Sequence, residues 1–312
     1  MTSIRHPSSK TGHLLALFTI LIWGTTFVST KVLLEDFTPV EILLFRFLIG
    51  YLILWMIYPR AQKVVSFGEE ALFMGAGLCG VALYFLIENI ALVYTTASNV
   101  GVIVSVAPFF TAVLAHFFLD GETLTRRFLI GFSIAMCGII LITLNGSFML
   151  QVNPIGDLLA FIAPAVWAIY SVLMRKIGVR NYPMIGATRK VFFYGLLFML
   201  PVLVWFEIEL NVARFTQFST ISNFLFLGAG ASALCFVTWN QAVKLLGAIH
   251  SSVYIYLVPV ITVVSSTLIL HERITWVSII GASLTLYGSY ISESSKKQKK
   301  TRNSFGRLRR HT

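Results

Sequence analysis

Charged side chains are scarce in this chain: Asp, Glu, Lys and Arg together make up 12% of its 312 residues, against about 25% in an ordinary soluble domain. So few charges cannot cover a water-facing surface when 57% of the residues are hydrophobic and the mean hydropathy is +0.82. Lipid as the solvent removes the difficulty, because it requires apolar outer faces. Acidic residues are scarcer still, 13 against 24 Lys and Arg. The resulting charge of +11 is not a nucleic-acid footprint. Eight of the 24 cations lie between Lys296 and Arg310, the others sit in thin clusters between apolar runs, and no basic groove with interleaved aromatics is present.

Cysteine is also rare. Cys79, Cys137 and Cys235 each fall inside an apolar segment, an odd and scattered set that makes no disulfide framework and reads as buried, inert thiols. A P-loop is absent, which argues against direct ATP hydrolysis. His116 and His271 lack spaced partners, and Asp120 with Glu122 supplies too few ligands for a metal. No nucleophile–base constellation stands out, so the reading is neither enzyme nor cofactor protein. Gly75, Gly77 and Gly80 spell G-x-G-x-x-G, but no strand precedes them. Close helix packing explains them better. At the N-terminus, Arg5, Lys10 and the apolar Leu14–Ile22 resemble a signal peptide, yet no small-residue cleavage site follows and the apolar run continues to Leu34. An uncleaved first helix is expected.

What the chain has in abundance is apolar runs. A spanning helix needs about 20 mostly apolar residues. Ten segments qualify or nearly so: 13–34, 38–58, 70–94, 96–119, 124–144, 155–178, 182–206, 221–246, 248–271 and 274–292. The longest connection, 207–220, leaves no room for a soluble domain. Lys and Arg in the loops set the orientation. With the N-terminus inside, 18 loop and tail cations lie inside and three outside, Lys31, Arg214 and Arg273. This predicts a multi-pass protein of the cell membrane with both termini cytoplasmic. Residues 1–12 form a cytoplasmic N-terminus and 293–312 a basic disordered tail that contacts membrane lipid at most.

The two halves repeat. At an offset of 144, Trp23 meets Trp167, Lys31 meets Arg175, Pro39 meets Pro183 and Arg46 meets Lys190. At 151, Asn89 meets Asn240 and Pro108 meets Pro259. At 150, Glu122, Thr125, Gly131 and Gly138 meet Glu272, Thr275, Gly281 and Gly288. Each half, 13–145 and 154–292, holds five helices, so the second enters the membrane from the opposite side. The expected fold is all-α and integral to the membrane, ten transmembrane helices as two inverted five-helix repeats. Such repeats are the usual build of secondary transporters.

Ile22-Trp23-Gly24-Thr25-Thr26-Phe27, Arg46-Phe47, and the doubled Pro108…Glu122…Gly131…Gly138 and Pro259…Glu272…Gly281…Gly288 resemble the EamA-type drug/metabolite transporter superfamily over residues 13–292. The resemblance implies a ten-helix carrier, with many family members exporting amino acids and other metabolites. It also implies a central cavity lined by the first, third, fourth, sixth, eighth and ninth helices. Arg273 follows Glu272 where Thr123 follows Glu122, so the two loop ends are unequal.

Glu88 is the most informative single residue. A charge inside a span is expensive and needs a partner or a wet cavity. Tyr84, Glu88, Ala91 and Thr95 share a helix face. Glu88 either meets a substrate amine or a proton, or forms a buried ion pair with Arg46; Arg46 itself has Glu88 or Glu41 as partner. Asn89 and Asn240 either bracket a solute or bond neighbouring helices. Trp23, Trp167, Trp239, Tyr170, Tyr254 and Tyr256 lie within spans and would wall a cavity for an apolar, aromatic or cationic solute, or else pack as core. The substrate-binding candidates are therefore Trp23, Tyr84, Glu88, Asn89, Trp167, Tyr170, Trp239, Asn240 and Tyr256. Pro108 and Pro259 remove backbone donors mid-span and are the candidate hinges. Glu122 and Glu272 sit two to three residues before the next span, suited to its N-terminal N–H groups. The glycines spaced seven apart either join the fifth and tenth helices, the favoured reading, or form a homodimer seam. The function expected is alternating-access transport, favouring export, of a small organic metabolite such as an amino acid. A drug or quaternary-cation efflux carrier and a non-transporting membrane scaffold are the rivals.

Overall fold

Lipid-facing backbone must bond to itself, and every regular element among the described residues is helical. The computed structural model describes residues 9–94, 97–144, 153–205, 212–261, 264 and 275–293. In chain order the helices are α1 (Ser9–Leu33), α2 (Pro39–Ile57), α3 (Phe67–Tyr94), α4 (Ala97–Val104), α5 (Ala107–Phe118), α6 (Arg126–Leu144), α7 (Pro154–Val179), α8 (Met184–Trp205), α9 (Phe218–Leu246), α10 (Ala248–Ile261) and α11 (Trp276–Glu293). Six of them, α1, α2, α3, α7, α8 and α9, contain segments long and apolar enough to cross a membrane. Glu272, Arg273, His271, Thr95 and the tail lie outside the described residues.

The helix ends follow local chemistry. Thr38 and Glu41 form a reciprocal capping box at α2, with Pro39 in the first turn. Ser66 caps α3, and Asn153 accepts from Ile155 N and Gly156 N at α7. Thr125 and Thr275, mates in the repeat, accept from Phe128 N and Ser278 N at the starts of α6 and α11. Each cap answers backbone donors that a helix start leaves without partners.

The fourth span is not the continuous helix with a mid-helix proline that the sequence suggests. It is two helices, α4 and α5, broken at Ser105–Val106, and Pro108 occupies the first turn of α5. A proline fits there, since its missing N–H would have no helical partner anyway. In α10 the strain shows as a 3-10 turn, Val253–Tyr256, just before Pro259. A feature the sequence did not announce is a π-helical stretch in each half, Leu78–Leu83 in α3 and Phe226–Leu234 in α9. The two overlap under the offset of 151.

Close packing uses the glycines. A Cβ on Gly80 would stand 2.2 Å from the Tyr170 ring, and one on Gly77 2.7 Å from Gly195 N, so the G-x-G-x-x-G run is a contact surface for α7 and α8. α6 packs along α11. There a Cβ on Gly138 would stand 2.5 Å from Gly281 O, and one on Gly288 2.4 Å from Ala135 N. The paired glycines therefore join these two helices within one chain.

Because the obstacle at Gly138 is backbone, it cannot rotate away. Gly138→Val is expected to destabilise the protein by about 2 kcal/mol or more, in the overpacking range. Gly68→Ala, whose Cβ would lie 3.9 Å from Ser66 Oγ, should leave stability unchanged or slightly raised. Thermal unfolding of the two purified variants in one detergent checks this; equal midpoints would contradict the seam.

Candidate functional site

α1, α2, α3, α4, α5, α7 and α10 enclose a cavity of about 60 Å³. A water needs about 10–15 Å³ of such space, so the enclosure holds a handful of waters. Its polar lining is Thr26, Arg46, Tyr84, Glu88 and Ser105, its aromatic lining Trp23, Phe27, Phe85 and Trp167, and its aliphatic lining includes Ile20, Val104, Ile255 and Val258. The proline positions explain part of this wall. Helical bonding would pair residues 108 and 259 with the carbonyls of Val104 and Ile255. Both of those residues border the cavity.

Two opposite charges share the enclosure. Arg46 is 3% exposed and Glu88 7%. Tyr84 Oη donates to Glu88 Oε1 at 2.6 Å. Arg46 Nε donates to Ser232 Oγ at 3.1 Å, and its guanidinium carbon lies 4.4 Å from the Phe85 ring centroid and 5.2 Å from that of Phe47. Arg46 and Glu88 act on each other electrostatically. They do not touch: among the described residues, the ion pairs within 4.0 Å are formed by other residues. Glu41, the other partner considered for Arg46, is taken by Arg214, at 2.9 Å, and by the Thr38 cap. Each charge is thus held by one neutral hydrogen bond and borders the cavity without meeting its opposite.

Of the residues the sequence singled out, Trp23, Tyr84, Glu88 and Trp167 come together on the cavity wall. Trp239 stands behind it, 5.2 Å from Trp23 between centroids. Tyr170, Asn240 and Asn89 are placed elsewhere. Tyr170 Oη donates to Asn240 Oδ1 at 2.6 Å, and Asn240 Nδ2 donates to Thr188 Oγ1 at 3.1 Å, all in the core. Asn89 Nδ2 donates to Pro39 O at 3.2 Å. Each of the symmetric asparagines therefore bonds a neighbouring helix, the third span to the second and the eighth to the seventh. Tyr256 is fully buried beside Phe132 in a separate cluster. Lys190, the mate of Arg46, leaves the cavity altogether and binds Glu70 at 2.8 Å. Arg46 and Phe85 line the wall, so α2 contributes to it, whereas α9 contributes none of the lining. Ser105, beside the break, was missed; a hydroxyl three residues before a proline in an apolar run was its only signal.

A second constellation closes one end of the bundle, the face where α1 begins. Glu122 accepts from Ala248 N at 2.7 Å and Ile249 N at 2.8 Å, capping α10. The sequence suggested the next span, α6; Thr125 has that task instead. Arg175 Nε lies 3.4 Å from Glu122 Oε1, and its Nη1 donates to Lys244 O at 2.5 Å at the end of α9. Gly247 between the two helices has φ +95°, and a Cβ there would stand 2.6 Å from Glu122 Oε1. Glycine is needed for both the conformation and the room. One carboxylate and one guanidinium thus lock α5–α6, α7 and α9–α10 together.

Comparison with known proteins places this architecture. The model of the EamA-like transporter family matches residues 10–144 and again 154–293. An "uncharacterized transporter" of Archaeoglobus fulgidus is 29% identical, with 93% of this chain and 100% of the relative covered. The "uncharacterized transporter YvbV" of Bacillus subtilis is 28% identical over 94% of this chain and 95% of its own length. A solved crystal structure superimposes with a TM-score of 0.74 over 93% of this chain and 99% of that one, at 19% identity, a likeness of fold alone.

Tyr170→Phe separates core from site. It leaves a buried acceptor on Asn240 unpaired, a loss of about 1–3 kcal/mol, without touching the cavity lining. Its unfolding midpoint should fall while the affinity of folded protein for its solute stays within about twofold; a large affinity loss at unchanged stability would return Tyr170 to the site.

Proposed function

The chain belongs to the EamA-like transporter family, and from that premise we propose that it is a secondary carrier of a small organic metabolite, an amino acid or similar zwitterion, working by alternating access. It is a multi-pass membrane protein and a transporter. The finer reading takes α4 and α5 together as one span and α10 as the start of another, giving ten spans in two inverted halves. Loop cations favour the plasma membrane with both termini in the cytoplasm. The Glu122–Arg175 lock then closes the cytoplasmic side, and alternation requires its release. Export follows from the family's habit.

The observation that carries the substrate class is that Arg46 and Glu88 border one cavity without pairing directly. One guanidinium and one carboxylate make a site of no net charge. A zwitterion satisfies both, each by a charge-assisted hydrogen bond, whereas a lone cation leaves Arg46 opposed. The aromatic wall, with Trp23 and Trp167 5.4 Å apart, favours the cation reading. It serves equally well for an apolar side chain. A scaffold would have no use for two charges buried at a cavity.

Uptake into liposomes of purified protein tests this, with labelled amino acids, polyamines and cationic dyes, with and without a proton gradient. Saturable uptake of zwitterions is expected, reduced at least about tenfold in folded Glu88→Gln, the worth of one charge-assisted bond. Preference for cationic dyes would select the rival carrier, and full transport by Glu88→Gln would remove Glu88 from the site.

A further inference from the structure

Helical glycines in this protein mostly have a visible reason. At Gly50, Gly77, Gly80, Gly131, Gly138, Gly195, Gly228, Gly281 and Gly288 a Cβ would stand 3.0 Å or less from a neighbouring atom. Gly101 has no such reason. It lies inside α4, its φ is not in the left-handed region, and among the described residues no heavy atom lies within 4 Å of where its Cβ would be. Glycine inside a helix costs stability relative to alanine, because it loses more backbone freedom on folding. Gly101 is part of the cavity wall, with Val104 and Ser105. Ser105 Oγ donates back to Gly101 O at 2.6 Å, which holds the end of α4 against the break. The notch is therefore on a fixed edge. The lining also holds the apolar Val104, Ile255 and Val258, while the charges that would hold a polar head belong to α2 and α3.

We infer that Gly101 is the specificity-determining residue of the cavity: its missing side chain leaves a notch for the apolar group of the solute and sets the largest group the carrier accepts. The inference rests on the carrier reading above and adds the residue that bounds the substrate. It assigns the solute as a molecule with a compact charged or zwitterionic head and an apolar body. Alanine at position 101 fills part of the notch, and leucine fills it. The Cβ of alanine meets no heavy atom within 4 Å among the described residues, so Gly101→Ala should leave the fold intact and serves as the control for the larger leucine.

The test is transport by full-length wild type, Gly101→Ala and Gly101→Leu in proteoliposomes. The probes are glycine, alanine, leucine, phenylalanine and tryptophan, one head with a graded body. Unfolding midpoints of the three proteins are taken alongside. The accepted size should step down from wild type to Gly101→Ala to Gly101→Leu. For the largest solute that wild type carries, kcat/KM should fall about tenfold or more in Gly101→Leu, the scale on which a pocket discriminates a methylene or two. The smallest carried solute should lose less, so that the ratio of the two kcat/KM values, largest to smallest, falls in Gly101→Leu. A Gly101→Leu protein of unchanged stability with the wild-type size profile, or with all solutes reduced in parallel, overturns this inference and leaves the carrier reading intact. A wild type that moves none of the series takes away the carrier reading and this inference with it.

Discussion

A polypeptide in lipid must satisfy its own backbone polar groups, and irregular backbone survives at that depth only where it is covered by protein or lines a wet space. The arrangement of this protein follows from that constraint. Its described elements are helices, capped at their ends by Thr38, Ser66, Thr125, Asn153 and Thr275. The departures from helix are few and concentrated: the break at Ser105–Val106, the 3-10 turn at Val253–Tyr256, and the π-helical stretches of α3 and α9. The first two supply Ser105 and Ile255 to the cavity wall. A proline follows each of them, so the backbone gives way beside the cavity.

Charge is used in two different ways. Glu122 and Arg175 face each other and the ends of α9 and α10, with geometry that leaves both well partnered. A half-buried pair of this kind is weak evidence for stability, but it links elements that would have to separate for that end to open. Arg46 and Glu88 are the opposite case. Each is buried and each has one neutral hydrogen bond, to Ser232 and from Tyr84. The two pairs therefore differ in partnering: Glu122 and Arg175 meet each other, and Arg46 and Glu88 border a cavity.

The helical class and the closeness of α6 and α11 were legible in the sequence, because apolar run length and glycine spacing are local signals. So was Glu88, since a carboxylate in an apolar run has few other reasons to be there. The asparagines were not resolved by sequence. Asn89 and Asn240 are as polar and as symmetric as the cavity residues, and only the neighbouring helix positions of Pro39 and Thr188 show them to be structural bonds. Arg46 and Lys190 make the same point from the other side. The repeat equates them, yet one faces the cavity and the other Glu70. Gly101 carried no signal at all, because an open space beside a glycine exists only in three dimensions. The eighth span, expected from the family to line the cavity, instead packs on α1 and α2.

We propose that Arg46 holds an anionic end and Glu88 a cationic end of one solute. Calorimetric titration of purified wild type, Arg46→Gln and Glu88→Gln with a zwitterion, its decarboxylated amine and its deaminated acid tests that division directly. Wild type should prefer the zwitterion to both analogues. Arg46→Gln should lose only the preference over the amine, and Glu88→Gln only the preference over the acid. Equal loss of both preferences in both folded variants would contradict the account, since the two charges would then act as one structural unit and not as two ends of a binding site.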